Sequence, residues 1–306
     1  MTTRRQIRQP KDSGQSFMNK SIRFAFFGTS HIAVFVLDAL KEARLIPALI
    51  VAPRDKPKGR GLKLAPVPVA IWANNNNVPL ASEWKRDEKE KWDVCIVTDY
   101  GKIIPKKLLS LPRRGFLNVH PSLLPRLRGP SPIRSAILND EKETGVSIML
   151  IDEEVDHGPI VAQKRAILAT WPLRASELEE ILMREGGKLL ARILPQWVAG
   201  EIEAQEQNHD VATYSEKITK EMGLLDLKAP AYKNLLKICA YEGWPGTYAF
   251  FERPSASSGQ AAKRIRVGII DAHMSDGKLV IDTVKPEGKR EMKYEEFLRS
   301  GAKPCV

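Results

Sequence analysis

The sequence places an amide and an imidazole two residues apart, in Asn118-Val119-His120, directly before Pro121-Ser122-Leu123-Leu124-Pro125. The apolar run from Phe116 to Val119 predicts a strand, and positions i and i+2 of a strand share one side. Asn118 and His120 then point together, while Pro121, which cannot donate to a ladder, marks where the sheet yields to a loop. An amide donor beside an imidazole can stabilise an oxygen that becomes negative during acyl transfer. A strand-end asparagine and a satisfied histidine also fit these residue types.

A second polar cluster, Asp152-Glu153-Glu154-Val155-Asp156-His157-Gly158, falls between predicted strands at 146–151 and 160–162. A carboxylate brought beside His120 would raise the proton affinity of the imidazole and fix its orientation. Residue type alone leaves all four acids open, and an acidic surface loop accounts for them as well. The third feature runs from Arg54 to Lys63, with Arg54, Lys56, Lys58, Arg60 and Lys63 interspersed with Pro57, Gly59 and Gly61. This composition predicts a mobile basic loop able to grip phosphates or enter an RNA groove. It has no interleaved aromatics, so base stacking is not indicated. The turn Gly28-Thr29-Ser30-His31 lacks the three glycines of a dinucleotide fingerprint and the Gly-Lys-Ser/Thr of a phosphate loop.

The elements that must position these residues alternate between strand and helix. Ile22–Phe27 reads as a buried strand ended by Gly28, and Ser30 caps a helix over 32–40. Strands follow at 46–51, 94–98, 116–119, 146–151 and 160–162, and a long amphipathic helix at 176–198 closes the set. That order predicts an α/β fold built on an open, mostly parallel Rossmann-like sheet, whose ligands lie outside the carboxyl ends of the strands. Residues 201–213 are polar and without periodicity, which predicts a linker. Beyond it come a helix at 231–240 and strands near 248–251, 265–270 and 279–283, with turn signals at 254–259 and at Asp276-Gly277. The expected organisation is a tail over 1–20, a catalytic unit over 21–200, the linker, and a small β-rich unit over 214–306. The tail carries five basic residues against Asp12 alone, and Met18 is a second plausible start.

With 306 residues the chain can hold about two cores. Its net charge of +11 would draw a polyanion, although a mildly basic surface and a solvated tail explain it too. Cys95, Cys239 and Cys305 form no Cys-x-x-Cys pair, which argues against a disulfide framework or a zinc site and fits a reducing cytoplasm. No apolar run approaches the roughly 20 residues of a membrane span.

Taken together these stretches resemble the methionyl-tRNA formyltransferase family. The resemblance is carried by Phe26-Phe27-Gly28-Thr29-Ser30, the basic segment running into Pro66-Val67-Pro68, and Tyr100-Gly101-Lys102-Ile103-Ile104-Pro105. It continues through Asn118–Pro125, Arg128-Gly129, Glu143-Thr144-Gly145-Val146 and Asp156–Gly158, and beyond 213 through Tyr214–Glu221 and Trp244-Pro245-Gly246. It spans about residues 21–300.

The resemblance implies a formyltransferase sheet followed by an OB-like tRNA-binding unit. It implies 10-formyltetrahydrofolate as formyl donor, no metal, and methionyl initiator tRNA as acceptor, with a cytoplasmic monomer serving translation initiation. It matches Asn118, His120 and Asp156 to the family's catalytic trio, selecting Asp156 from the four acids. Folate would lie along Ser122, Leu123, Leu124 and Pro125. Arg54, Lys56, Lys58, Arg60 and Lys63 would meet tRNA, with Arg60 at the position of the family's key arginine.

Two departures stand out: Pro130-Ser131 replaces the usual Ala-Ala after Arg128-Gly129, and the second unit looks short by a strand-sized piece between Asp271 and Lys278. Rival readings are a formyltransferase acting on glycinamide ribonucleotide or an amino-sugar nucleotide, and a 10-formyltetrahydrofolate hydrolase. A non-catalytic RNA-binding protein would give Asn118, His120 and Asp156 no reason to co-occur.

Overall fold

The computed structural model describes residues 22–54, 56–58, 63–84, 91–253 and 263–305. The expected tail over 1–20 and the turn signal at 254–259 lie outside them.

Phe24–Gly28 forms β1, every residue of which is buried. A strand can be apolar on both sides only when both faces of its sheet are covered. Helix α1 (His31–Glu42) follows, and the Ser30 hydroxyl accepts the Ile32 N–H at 3.2 Å. Strand β2 (Leu49–Val51) is shorter than expected, because Pro47 has no N–H to pair.

The basic segment, expected as a loop, is partly an antiparallel ribbon of β3 (Lys56–Lys58) and β4 (Lys63–Ala65). Pairing between Lys56 and Ala65 and between Lys58 and Lys63 satisfies backbone groups that the apolar-poor sequence gave no reason to order. Then come α2 (Pro68–Asn75), β5 (Leu80–Ala81), β6 (Val94–Thr98), α3 (Lys106–Leu109) and β7 (Phe116–His120). The first part ends with α4 (Pro132–Leu138), β8 (Gly145–Leu150), β9 (Ile160–Arg165) and α5 (Ala175–Ala199).

Strands β5-β2-β1-β6-β7-β8-β9 form one seven-stranded sheet. The five from β5 to β7 are parallel, and β8 and β9 add antiparallel. Strand order departs from β1 in both directions, so the carboxyl ends of β1, β6 and β7 border the crevice where such sheets bind ligands. One face packs against α1, α2 and α5. The other is covered by Trp84, Trp92, Tyr100 and Ile104 from loops and by Leu108 and Leu109 of α3.

Residues 201–213 do not hang free as a linker. Gln205 and Ile160 exchange backbone hydrogen bonds, Thr213 donates to Pro125, and Arg128 donates to Thr213. Beyond them lie α6 (Ala231–Ala240), β10 (Thr247–Arg253), β11 (Lys263–Ser275), β12 (Lys278–Pro286), β13 (Met292–Lys293), α7 (Tyr294–Leu298) and β14 (Lys303–Pro304). Five of these strands form a separate antiparallel sheet, ordered β13-β12-β11-β10-β14. Strand β11 runs past its expected end because a register shift near Asp271 bends it and keeps it paired. It turns at Asp276-Gly277, both at positive φ, directly into β12.

An apolar cluster of Ile133, Ile137, Leu178 and Leu182 with Leu235, Leu236 and Tyr241 joins the two parts. Arg174 adds ion pairs to Glu242 and Asp271.

The contact of α5 with α1 rests on Gly187. A Cβ there would lie 2.7 Å from the Ala39 Cβ and 3.0 Å from the Val36 Cα, so backbone rather than a flexible side chain would have to yield. Gly187→Val is expected to lower stability by roughly 1–3 kcal/mol, the usual cost of overpacking, read as a lower urea midpoint. An unchanged midpoint would show that α1 backs away freely.

Candidate active site

The alternation of β7 sends Asn118 and His120 to the same side, as the sequence predicts. His120 is the last residue of the strand. Asp156 meets both from the turn between β8 and β9: its Oδ1 accepts the Asn118 Nδ2–H at 3.3 Å, and its Oδ2 lies 3.6 Å from the His120 Nδ1. Oδ2 also accepts the Gly129 N–H at 2.8 Å.

Two of the remaining three acids, Asp152 and Glu153, hold other partners through their carboxylates. Asp152 pairs with His157 at 2.7 Å and caps the Glu154 N–H, and Glu153 meets Lys106. Geometry therefore brings Asp156, and not Asp152, Glu153 or Glu154, to the imidazole.

The backbone bends unusually to achieve this. Asp156 has φ 51° and Gly129 φ 99°, in the left-handed region that L side chains seldom adopt. Gly129 takes this conformation freely because it has no Cβ, whereas at Asp156 it costs of order 1–3 kcal/mol and persists where the surroundings over-determine it, as at functional sites. Gly158 closes the turn: a Cβ there would stand 2.1 Å from the Leu150 carbonyl oxygen, so no other residue allows this approach.

His120 is nearly buried, and its Nε2 lies 3.0 Å from the Leu127 carbonyl oxygen. A carbonyl can only accept, so Nε2 must carry the proton there. Nδ1 is left facing Asp156. Asn118 spends one amide N–H on Asp156 and retains a second. The constellation thus offers an amide N–H, a ring nitrogen that can hold or release a proton, and a carboxylate that orients both.

The other expected site residues divide. Within 122–125, the Ser122 hydroxyl donates to the Arg126 carbonyl at 2.6 Å. Leu124 is buried, receives Gln163 on its carbonyl and donates its N–H to Ser147. Those two residues therefore build the loop, while Leu123 and Pro125 keep exposed surface. Arg54 is exposed beside the β3–β4 ribbon, whose backbone includes Lys56, Lys58 and Lys63, and Arg60 lies outside the described residues.

A layer beneath the site was not anticipated. Arg128 is 1% exposed and donates to the Gln207 Oε1 from Nε (3.1 Å) and from Nη2 (2.6 Å). Further contacts reach the His209 Nδ1 at 2.9 Å and the Tyr214 hydroxyl at 3.4 Å. Ser215 accepts the Ser131 N–H and donates to the Arg128 carbonyl. The signals in the sequence were the Arg128-Gly129 and Tyr214-Ser215-Glu216 matches, which say nothing of burial. Cys95 and Cys239 are buried, which pushes both thiols up and leaves neither suited to nucleophilic attack.

The amide, imidazole and carboxylate that meet beside the parallel-sheet crevice have chemistry suited to acyl-group transfer. The Formyl transferase family model matches residues 22–194. The chain is 36% identical over 308 residues to "Methionyl-tRNA formyltransferase" of Myxococcus xanthus, covering 93% of this chain and 98% of that protein.

Two solved structures share the fold at 18% identity. One is "Methionyl-tRNA formyltransferase from Clostridium thermocellum", with TM-score 0.55 over 87% of this chain and 98% of that one. The other is an N-formyltransferase from Helicobacter canadensis in complex with folinic acid and dTDP-3-aminofucose, with TM-score 0.61 over 83% and 88%. The chain belongs to the methionyl-tRNA formyltransferase family.

Neutral His120 is expected as the Nε2–H tautomer, measurable from its ring ¹⁵N chemical shifts. A dominant Nδ1–H tautomer would show that the Leu127 carbonyl does not hold the ring.

Proposed function

We propose that this protein transfers the formyl group of 10-formyltetrahydrofolate to the amino group of methionyl initiator tRNA, with Asn118, His120 and Asp156 as the reacting site. The observation that carries this reading is the convergence of Asn118 Nδ2 and His120 Nδ1 on one carboxylate, Asp156, at the carboxyl end of β7.

The methionyl amine attacks the formyl carbon and a tetrahedral intermediate forms. Its oxygen becomes negative where the second Asn118 N–H and the Nδ1–H of imidazolium His120 can donate to it. Asp156 pairs with the imidazolium and takes part in passing the amine proton toward the folate nitrogen as the carbon–nitrogen bond to folate breaks. The formyl group leaves as the amide of methionine, and tetrahydrofolate is released. The chain's own residues supply every proton carrier in this scheme. Folate would lie along the 122–125 loop, whose accessible surface is that of Leu123 and Pro125.

The tRNA acceptor is supported by two basic surfaces. The basic segment 54–63, with Arg54, Lys56, Lys58, Arg60 and Lys63, would grip the acceptor end. The outer face of the second sheet presents Arg264 over Phe250 (4.0 Å) and Arg266 over Tyr248 (3.7 Å). Stacked guanidinium groups keep donors free for phosphate, which positions rather than specifies. The domain organisation follows from this division, with 21–200 catalytic, 201–213 connecting and 214–306 holding tRNA. The protein would work as a cytoplasmic monomer, and no helix among the described residues is long and apolar enough to cross a membrane.

Formyl transfer is to be measured with methionyl initiator tRNA, and methionyl elongator tRNA as control. Selective modification of the initiator is the expected result, and transfer only to small amines would send the assignment to a nucleotide substrate. His120→Ala or Asp156→Ala should each lower kcat by about 10²–10⁴-fold in a folded protein. Near-normal turnover in either would remove the assigned role. Arg60→Ala should raise KM for tRNA about tenfold or more, as loss of a phosphate contact worth about 1.4 kcal/mol would, while folate binding stays unchanged. Equal effects on both substrates would remove this basic segment from the tRNA site.

A further inference from the structure

Asp156 is held from behind as well as from the front. Gln207, 5% exposed, sends its Nε2 to the Asp156 carbonyl at 2.9 Å and to the Gly158 carbonyl at 2.7 Å. Its Oε1 receives two N–H groups of Arg128. The orientation of this amide is not a free choice. Carbonyls can only accept, so the NH₂ must face them; a guanidinium can only donate, so the oxygen must face Arg128. All four bonds of the side chain are satisfied in one orientation and none in the flipped one.

The residue after Arg128 is Gly129, whose N–H grips the Asp156 carboxylate. A closed ring therefore runs from the carboxylate through Gly129 to Arg128, through the Gln207 amide, and back to the Asp156 backbone. Gly158 lies against the Leu150 backbone with no side chain to adjust, and the Gln207 amide grips the carbonyls of the turn from the other side.

We propose that Gln207 is a positioning residue for formyl transfer: it holds the left-handed Asp156 turn at the height where the carboxylate meets both Asn118 and His120. This rests on the reading of those three residues as the reacting site. Gln207 touches no reacting atom and acts through Asp156. A misplacement of about 1 Å can cost about 10²-fold in rate, and the Asn118–Asp156 bond, already 3.3 Å long, has little reach to spare.

Gln207→Glu separates this role from simple packing. The introduced carboxylate has the same shape, keeps both Arg128 donors and adds an opposite charge, so stability is expected to hold. It presents oxygen to the Asp156 and Gly158 carbonyls and loses the grip on the turn. Thermal melting, steady-state formylation of methionyl initiator tRNA, and amide hydrogen exchange at Gly129 are measured for wild type and variant, with Gln207→Asn as second variant.

The expected result is a melting temperature within about 3 °C of wild type, kcat lower by about 10–100-fold, KM for both substrates within about threefold, and faster exchange at Gly129. A kcat within twofold of wild type in a folded variant overturns the proposal. So does a loss of kcat that only tracks a loss of melting temperature, or failure of both variants to fold. If wild type itself does not formylate initiator tRNA, the functional reading fails. Exchange at Gly129 then still decides the positioning role, and wild-type protection in Gln207→Glu rejects it.

Discussion

Arg128 is a guanidinium that cannot shed its charge, buried under the active site. Burying an ion costs several kcal/mol unless its donors are met. Among the described residues its side chain meets the Gln207 amide oxygen, the His209 ring nitrogen and the Tyr214 hydroxyl. Bonds to a charged donor contribute about 1.5–3 kcal/mol each, enough together to offset desolvation of that size. All three partners come from 207–214, so satisfying Arg128 draws this segment against the first sheet. The ladder steps at Gln205–Ile160 and at Thr213–Arg128 follow the same path. His209 in turn stacks on His157 at 4.1 Å, and His157 is held by Asp152. One buried charge thus organises the floor of the site and the route of the chain out of it.

On that floor the three groups proposed to react come from two kinds of structure. The strand supplies Asn118 and His120 at a spacing its pleat enforces, so their mutual geometry is inexpensive to maintain. The carboxylate comes from a turn, where the chain must pass through the left-handed region at Asp156 and touch backbone at Gly158. Pleat and turn meet because Gly129 offers its N–H from a third segment. Acyl transfer needs donors aligned before charge develops, and three segments locked to one carboxylate hold these donors in a fixed relation.

The second sheet is tied to this site by more than chain connectivity. Its helix α6 shares an apolar cluster with α4 and α5, and Arg174 at the start of α5 pairs with Glu242 and Asp271. Segment 201–213 reaches the second part only after passing under Arg128. An acceptor bound on the outer face of the second sheet would therefore meet a surface held at a set distance from Asn118 and His120. A flexible tether would not fix that distance.

Much of this was legible in residue order. Strand and helix alternation fixed the class of sheet, the period-2 pleat put Asn118 and His120 together, Ser30 marked a helix start, and Asp276-Gly277 marked a hairpin. These are local signals, set by backbone dihedrals and side-chain period within a few residues. Choosing Asp156 from four acids by residue type alone was not possible, because that choice depends on which turn residue takes a positive φ beneath a neighbouring strand. Gln207 and His209 were equally silent, and Arg128 gave no sign of its burial: a glutamine in a polar, aperiodic run looks like solvated linker. It becomes part of the site only when a buried guanidinium 79 positions away needs an acceptor. Sequence by itself determined the main strand–helix alternation and the donors on one strand; tertiary structure decided the carboxylate and its support, because satisfying buried charge is a property of the packed interior and of no single segment.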